Sequence, residues 1–258
     1  MRLTFLGTGT SFGIPVIGCE CAVCTSADSN NRRTRHALLI EEGDETLLVD
    51  TPPELRLQLV NQGVRQVDHV FLTHPHADHV HGIDDLRIFS LRSERPLPVY
   101  VAGEYAEEFR RRFAYIWGPD AGPAPGTSIP DLELRPFRDR ELLTLGGLEV
   151  QPIAFPHGYL RSYGLRAGDL ALIVDAKLVP DDAVELLSGL RVLVLNALWR
   201  GDPHPTHFNV EEAIAVAERL GAERTFLTHL THRLDHESLK RELPDGIEPA
   251  YDGLSIEV

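Results

Sequence analysis

No stretch of this 258-residue sequence approaches the ~20 consecutive apolar residues that a membrane-crossing helix needs. Positive charge is also short: 25 Lys and Arg stand against 39 Asp and Glu, a net charge of −14, so no basic footprint recommends long nucleic acid as a partner. Cysteine is nearly absent, and the three present, Cys19, Cys21 and Cys24, are too close together and too odd in number for a disulfide framework. That usage agrees with a reducing compartment. The chain enters the strand-like residues 2–6 without a basic region, apolar core and cleavage site ahead of them, so a cytoplasmic location is expected. A hydrophobic fraction of 43% and a charged fraction of 25% are those of an ordinary soluble globular protein. A single domain over residues 1–258 is expected, with a large core.

What is present in excess is histidine, 12 in all, and its distribution is uneven. Residues 73–79 read Thr-His-Pro-His-Ala-Asp-His directly after the apolar run Val70, Phe71, Leu72, so a buried strand delivers three imidazoles and a carboxylate from its end. His74 and His76 lie two apart on an extended segment and share a side, while Asp78 and His79 fall on the following turn. One pair can serve one metal and the other pair a second. Three remote candidates, His157, Asp175 and His229, each follow a short apolar run. The plain alternatives are a histidine-rich polar loop, a strand-end His157 bonded to backbone, an Asp175 that caps a turn and a satisfied core His229.

The pattern H-x-H-x-D-H followed by a His, an Asp and a His resembles the metallo-β-lactamase superfamily. Residues 1–10 (MRLTFLGTGT), the Gly18-Cys19-Glu20-Cys21 stretch with Cys24, residues 227–232 (LTHLTH) and residues 251–254 (YDGL) are similar to its phosphoribosyl cyclic phosphodiesterase branch of the carbon-phosphorus lyase pathway. The likeness covers essentially the whole chain. It implies an α/β fold, a four-layer αββα sandwich of two mixed sheets flanked by helices. It also implies a ligand set: His74, His76 and His157 for one divalent cation, Asp78, His79 and His229 for another, and Asp175 bridging them. Zinc, manganese and iron all suit such ligands. Asp78 and His207 are the expected catalytic residues, His207 as donor to a phosphoryl or leaving oxygen. Trp199, Arg200 and His204 are expected substrate contacts, although residues 196–200 depart from the branch's pattern.

The cysteines with His232 make a Cys3His set, the composition of a structural zinc site, and would tie down the long irregular loop at about 11–35. His236 competes with His232 for the fourth place. Arg32, Arg33 and Arg35 form the one compact basic run, read as a solvated face or a phosphate contact.

Strands are expected at 2–7, 36–42, 46–49, 70–72, 99–101, 132–136, 142–144, 148–155, 162–166, 170–174, 192–195 and 225–228. Helices are expected from 50 to about 61, 78 to about 91, 105–116, 181–187 and 210–220, and residues 118–130 read as a surface insertion or a lid. The function implied is a binuclear metal-dependent phosphodiesterase acting on small, cyclic phosphodiesters with hydroxide generated at the metals. A ribonuclease Z-like nuclease, a thioesterase or lactonase, and a non-catalytic metal-dependent binding protein are the alternatives. The partner expected is a small phosphodiester, with no long nucleic acid and no membrane; a homodimer is allowed.

Overall fold

A computed structural model describes residues 1–93 and 95–258, and among the described residues fourteen short strands, nearly all rich in Leu, Val, Ile and Phe, build the fold. In the first sheet are β1 (Arg2–Gly7), β2 (Ala37–Glu42), β3 (Glu45–Val49), β4 (His69–Phe71), β5 (Leu97–Ala102) and β6 (Leu132–Phe137). The second holds β7 (Leu143–Leu145), β8 (Leu148–His157), β9 (Leu160–Ala167), β10 (Leu170–Ile173), β11 (Val192–Asn196), β12 (Arg224–Thr228) and β13 (Ile247–Pro249). The last strand, β14 (Ser255–Glu257), returns to the first sheet beside β1, giving orders β14-β1-β2-β3-β4-β5-β6 and β13-β12-β11-β10-β9-β8-β7. Each sheet runs antiparallel at one end and parallel at the other: β1, β2 and β3 alternate before β3 to β6 align, and β7 to β10 alternate before β10 to β13 align.

The parallel strands show why both faces must be covered. On β11, Val192 and Val194 join the core shared with the first sheet, while Leu193 and Leu195 join the core under the helices. Apart from Asn196 at its carboxyl end, β11 carries no polar side chain on either face, as expected where helices lie on one side and a second sheet on the other. Phe5 meets Phe226 and Phe137 meets Tyr163 between the sheets, at ring separations of 5.7 and 5.3 Å. Helices Leu55–Asn61, Arg87–Ser93 and Ala106–Arg112 contribute to the first core, and Asp181–Val184, Val210–Leu220 and His236–Glu242 to the second. The αββα sandwich is therefore the observed fold.

Most expected strands stand within two residues of their places, but several helices do not. The single helix expected from 78 to about 91 is three pieces, Ala77–Val80, Ile83–Leu86 and Arg87–Ser93. The break sits at Gly82, which lies so close to the Pro52 carbonyl that a Cβ there would approach the oxygen to 2.0 Å. The helix expected from 50 starts only at Leu55, because Asp50 adopts a left-handed φ of 65° and is buried in the site. The helix expected at 105–116 divides at Phe113, whose φ and ψ of −114° and 49° are not helical. By contrast, Val210–Leu220 has the expected ends: Asn209 and Glu212 form a reciprocal capping box and Gly221 closes it at φ 67°.

The loop between β1 and β2 is anchored rather than bare. Arg33, fully buried, donates from Nη1 to the Thr231 carbonyl at 2.9 Å and from Nη2 to the Leu234 carbonyl at 2.8 Å. It is neither a solvated charge nor a phosphate reader. Arg35 pairs with Glu54. Asp252 ties both sides of the turn at 7–10 to the loop: Oδ1 accepts from the Thr8 amide at 2.9 Å and hydroxyl at 2.7 Å, and Oδ2 from the Thr34 amide at 2.7 Å and hydroxyl at 2.6 Å. Asp252→Ala strands two amides, each costing about 1–3 kcal/mol. The expected outcome is a fall in thermal midpoint of roughly 5–15 °C, read by calorimetry; an unchanged midpoint would remove Asp252 from the account of how the loop is held.

Candidate metal centre

Every candidate ligand sits at the carboxyl end of a strand or just beyond it. His74, His76, Asp78 and His79 follow β4, His157 ends β8, Asp175 follows β10 and His229 follows β12. Asp50, Asp175 and His229 all adopt left-handed φ, at 65, 55 and 58°, a conformation that costs non-glycine residues energy and that clusters at functional sites. The strained turns aim the three side chains inward.

Asp175 is the centre, 2% exposed. Its Oδ2 lies 3.4 Å from His74 Nε2, 3.4 Å from His79 Nε2, 3.7 Å from His157 Nε2 and 3.3 Å from His207 Nε2, and its Oδ1 lies 3.1 Å from His229 Nε2. His76 Nδ1 is 2.9 Å from His74 Nε2 and 3.3 Å from His157 Nε2. Asp78 Oδ2 is 3.4 Å from His79 Nε2. The potential ligand atoms therefore form two groups, one of His74, His76, His157 and Asp175 and one of Asp78, His79 and His229, each within 4.8 Å. Asp175, His207 and His229 form a third, overlapping group.

Electrostatics match the geometry. Burial drives the His74 imidazole well below its usual pKa and His229 down to about 4, so both stay neutral with a lone pair to offer. Burial opposes a charged Asp175, yet His229, His207 and His79 outweigh it and hold the carboxylate well below its usual range. At Asp78 burial again works against the charge, and His79 reverses it. Burial opposes a cation on His79 as well, but the carboxylates of Asp50, Asp78 and Asp175 together raise its pKa well above the ordinary value. Three carboxylates around one ring are a demand for positive charge.

The donor set fits divalent cations on a second count. His79 Nε2, Asp175 Oδ1, His207 Nε2 and His229 Nε2 are buried without a hydrogen-bond partner. Each such atom costs on the order of 1–3 kcal/mol, and four of them facing one another are explained by something between them. The outer nitrogens are already fixed: His79 Nδ1 donates to Asp50 Oδ2 at 2.6 Å and His157 Nδ1 to the Thr206 carbonyl at 3.1 Å. Such outer partners set which nitrogen faces a metal.

Asp50, fully buried, escapes a reading of the sequence alone because its partners, the Thr73 amide at 2.9 Å and His79, lie more than twenty residues away. Asn196 escapes too; its Oδ1 accepts from the Ala176 amide at 2.9 Å and so holds the Asp175 turn. Asp50→Asn is expected to weaken metal binding about 10–100-fold with the fold retained. A competition titration against a chromophoric chelator measures this; unchanged affinity would make Asp50 a packing residue only.

The expected substrate contacts separate. His204 packs between Trp199 and His207, with ring centroids 5.2 and 5.0 Å away, so it lies one ring from the centre. Trp199 is covered by Arg233 at 4.6 Å. Arg200 is engaged by Glu211 at 3.2 Å and Glu242 at 3.0 Å, and its guanidinium is thereby committed to carboxylates. His81 is exposed beside Phe113.

A second candidate site lies beside the first. Cys19, Cys21 and Cys24 Sγ stand 3.3, 3.5 and 3.6 Å from His232 Nδ1. A tetrahedral zinc with ordinary bond lengths places such atoms ~3.6 Å apart. The competing His236 is turned away, with its ring against Tyr251 at 5.6 Å.

Residues 45–230 match the beta-lactamase superfamily domain. A crystal structure described as that of a new diphosphatase from the PhnP family superposes with a TM-score of 0.90 at 36% identity, covering 100% of this chain and 97% of that one. An octanoyltransferase of Porphyromonas gingivalis is 36% identical over 256 residues, 98% of this chain, and the chain spans only 51% of that protein's length. A ribonuclease Z of Methanopyrus kandleri is 26% identical over 277 residues, 88% of this chain and 92% of that protein.

Proposed function

The chain belongs to the metallo-β-lactamase superfamily, in its PhnP branch, and from that premise we propose that it is a binuclear metal-dependent phosphodiesterase of small, cyclic phosphodiesters. The observation that carries the reading is Asp175, buried and touched by five imidazole nitrogens from four separate stretches of chain. His74, His76 and His157 would hold one divalent ion, Asp78, His79 and His229 the other, with Asp175 shared; zinc, manganese or iron suits this set. When bound, a metal pair offsets charge developing on phosphoryl oxygens and activates water.

The protein's own groups do the rest. His207 Nε2, without a hydrogen-bond partner and 3.3 Å from Asp175 Oδ2, is placed to hold a proton for the departing sugar oxygen. Asp78, kept ionised by His79, can take a proton from the attacking water. Asp50 and the Thr206 carbonyl keep His79 and His157 turned inward.

A second reading, cleavage of a diphosphate linkage, is favoured by the relative described as a diphosphatase. It breaks the same kind of P–O bond with a better leaving group. The octanoyltransferase is about twice this length, and no acyl transfer is assigned from it. Protein of measured metal content, assayed on a cyclic ribose phosphodiester, a linear phosphodiester and a diphosphate diester, tests both readings. Turnover fastest on the cyclic ester supports the first and turnover fastest on the diphosphate the second; no turnover on any sinks both.

A further inference from the structure

Thr206 and His204 touch no ligand atom directly, except that the Thr206 carbonyl takes the His157 Nδ1 proton at 3.1 Å. Their polar atoms meet on the far side of His207. Thr206 Oγ1 is 2.8 Å from His207 Nδ1 and 3.2 Å from His204 Nδ1, and the two Nδ1 atoms are 3.2 Å apart. The Thr206 amide lies 3.3 Å from His204 Nδ1 and donates to it. His204 Nδ1 is therefore an acceptor, and its ring proton is on Nε2.

Proton accounting then leaves one arrangement without a clash. If the Thr206 hydroxyl donated to His207 Nδ1, two bare Nδ1 atoms would face each other at 3.2 Å. If the hydroxyl instead donates to His204 Nδ1, His207 Nδ1–H finds the hydroxyl oxygen at 2.8 Å as acceptor. The Thr206 amide, the Thr206 hydroxyl and His207 Nδ1–H then each meet an acceptor. His207 keeps its Nδ1 proton in this arrangement whether the ring is neutral or cationic, so the orientation does not depend on its charge.

We propose that Thr206 and His204 are positioning residues for the reaction: the Thr206 hydroxyl, turned by donating to His204 Nδ1, accepts from Nδ1–H of His207 and so fixes Nε2 as the nitrogen that faces the leaving oxygen. The nitrogen that bonds outward sets which one acts inward. This rests on His207 acting as the proton donor in the proposed phosphodiesterase reaction. Thr206 thus orients two rings at once, His157 through its carbonyl and His207 through its hydroxyl.

The test uses Thr206→Val, Thr206→Ser and His204→Phe in the zinc-loaded protein. Two substrates are compared: a cyclic ribose phosphodiester, whose alkoxide must be protonated as it leaves, and bis-p-nitrophenyl phosphate, whose phenolate leaves without a proton. Thr206→Val and His204→Phe are expected to lower kcat on the first about tenfold or more, a part of the 10²–10⁴ that general acid catalysis contributes. On the second they should change kcat less than about twofold, and Thr206→Ser should behave as the parent. Equal losses on both substrates, or none on either, would overturn the proposal. Nitrogen-15 spectra of histidine-labelled protein give a readout apart from activity: His207 Nδ1 should be protonated in the parent and lose that single assignment in Thr206→Val. A bare His207 Nδ1 in the parent refutes the hydrogen bond outright. If the parent cleaves neither ester, the phosphodiesterase reading fails, and the spectra still decide the hydrogen bond.

Discussion

Asp175→Ala should leave a folded protein that binds less metal and hydrolyses phosphodiesters at least ~10³-fold more slowly. One carboxylate contacts His74 and His157 of one ligand group, His79 and His229 of the other, and His207 besides. No neighbouring side chain can supply both of its oxygens. Losing several kcal/mol of charge stabilisation at the reacting centre gives a rate loss of that order. The fold has little reason to fail, because the turn is also held by Asn196 through the Ala176 amide and sits between strands packed on both faces.

Asparagine at the same position separates charge from shape. Its single oxygen can serve one group but its amide nitrogen would point a donor at the other, so Asp175→Asn should lose metal nearly as fully as alanine. Metal analysis with circular dichroism and the phosphodiester assay measure all three quantities. Full metal content together with turnover within tenfold of the parent would mean that Asp175 does not join the two groups.

How much of this could be read beforehand depended on how local the cause was. The H-x-H-x-D-H stretch after β4 declares its chemistry within six positions, and the strand-end placement of His157 and His229 follows from short apolar runs. Asp50 gave no such sign, because its role is set by a hydrogen bond to His79 that exists only once β3 and β4 pair. Arg33 read as part of a charged run; its partners are carbonyls some two hundred residues away. Gly82 breaks a helix because of the Pro52 backbone, which no helical period reveals. The spacing of the three thiols was informative, whereas the choice of His232 over His236 required the direction of each ring. Asn196 lay in a stretch that departs from the family pattern, and its use was visible only through the Ala176 amide.

The thiolate cluster carries the other large expected effect. Between β1 and β2 the chain buries only Ile14, Val23 and Cys24 as a separate apolar cluster, too little to order a loop of this length. Three sulfurs already gathered within 3.6 Å of His232 Nδ1 supply the missing restraint if they share a zinc ion. Cys24→Ser, or a strong chelator, should therefore make the loop at 11–35 protease-sensitive and lower the thermal midpoint by roughly 5–10 °C. The damage should reach the metal centre, since His232 lies three residues past His229 and Gly9 pairs with Leu230. The pH dependence has a definite sign. Burial pushes the Cys24 thiol up to about 11, while the Cys24 amide bonded to Cys21 draws that thiol down to about 6. Zinc uptake at neutral pH must displace the Cys24 proton, and as pH falls through about 6 it must displace the Cys21 proton as well. Zinc affinity should thus decline with acid and decline more steeply below about pH 6. Native mass spectrometry counts the ions held by the parent and by Cys24→Ser, and limited proteolysis reads the loop; equal metal counts with an equally protected loop would show that the thiols hold nothing.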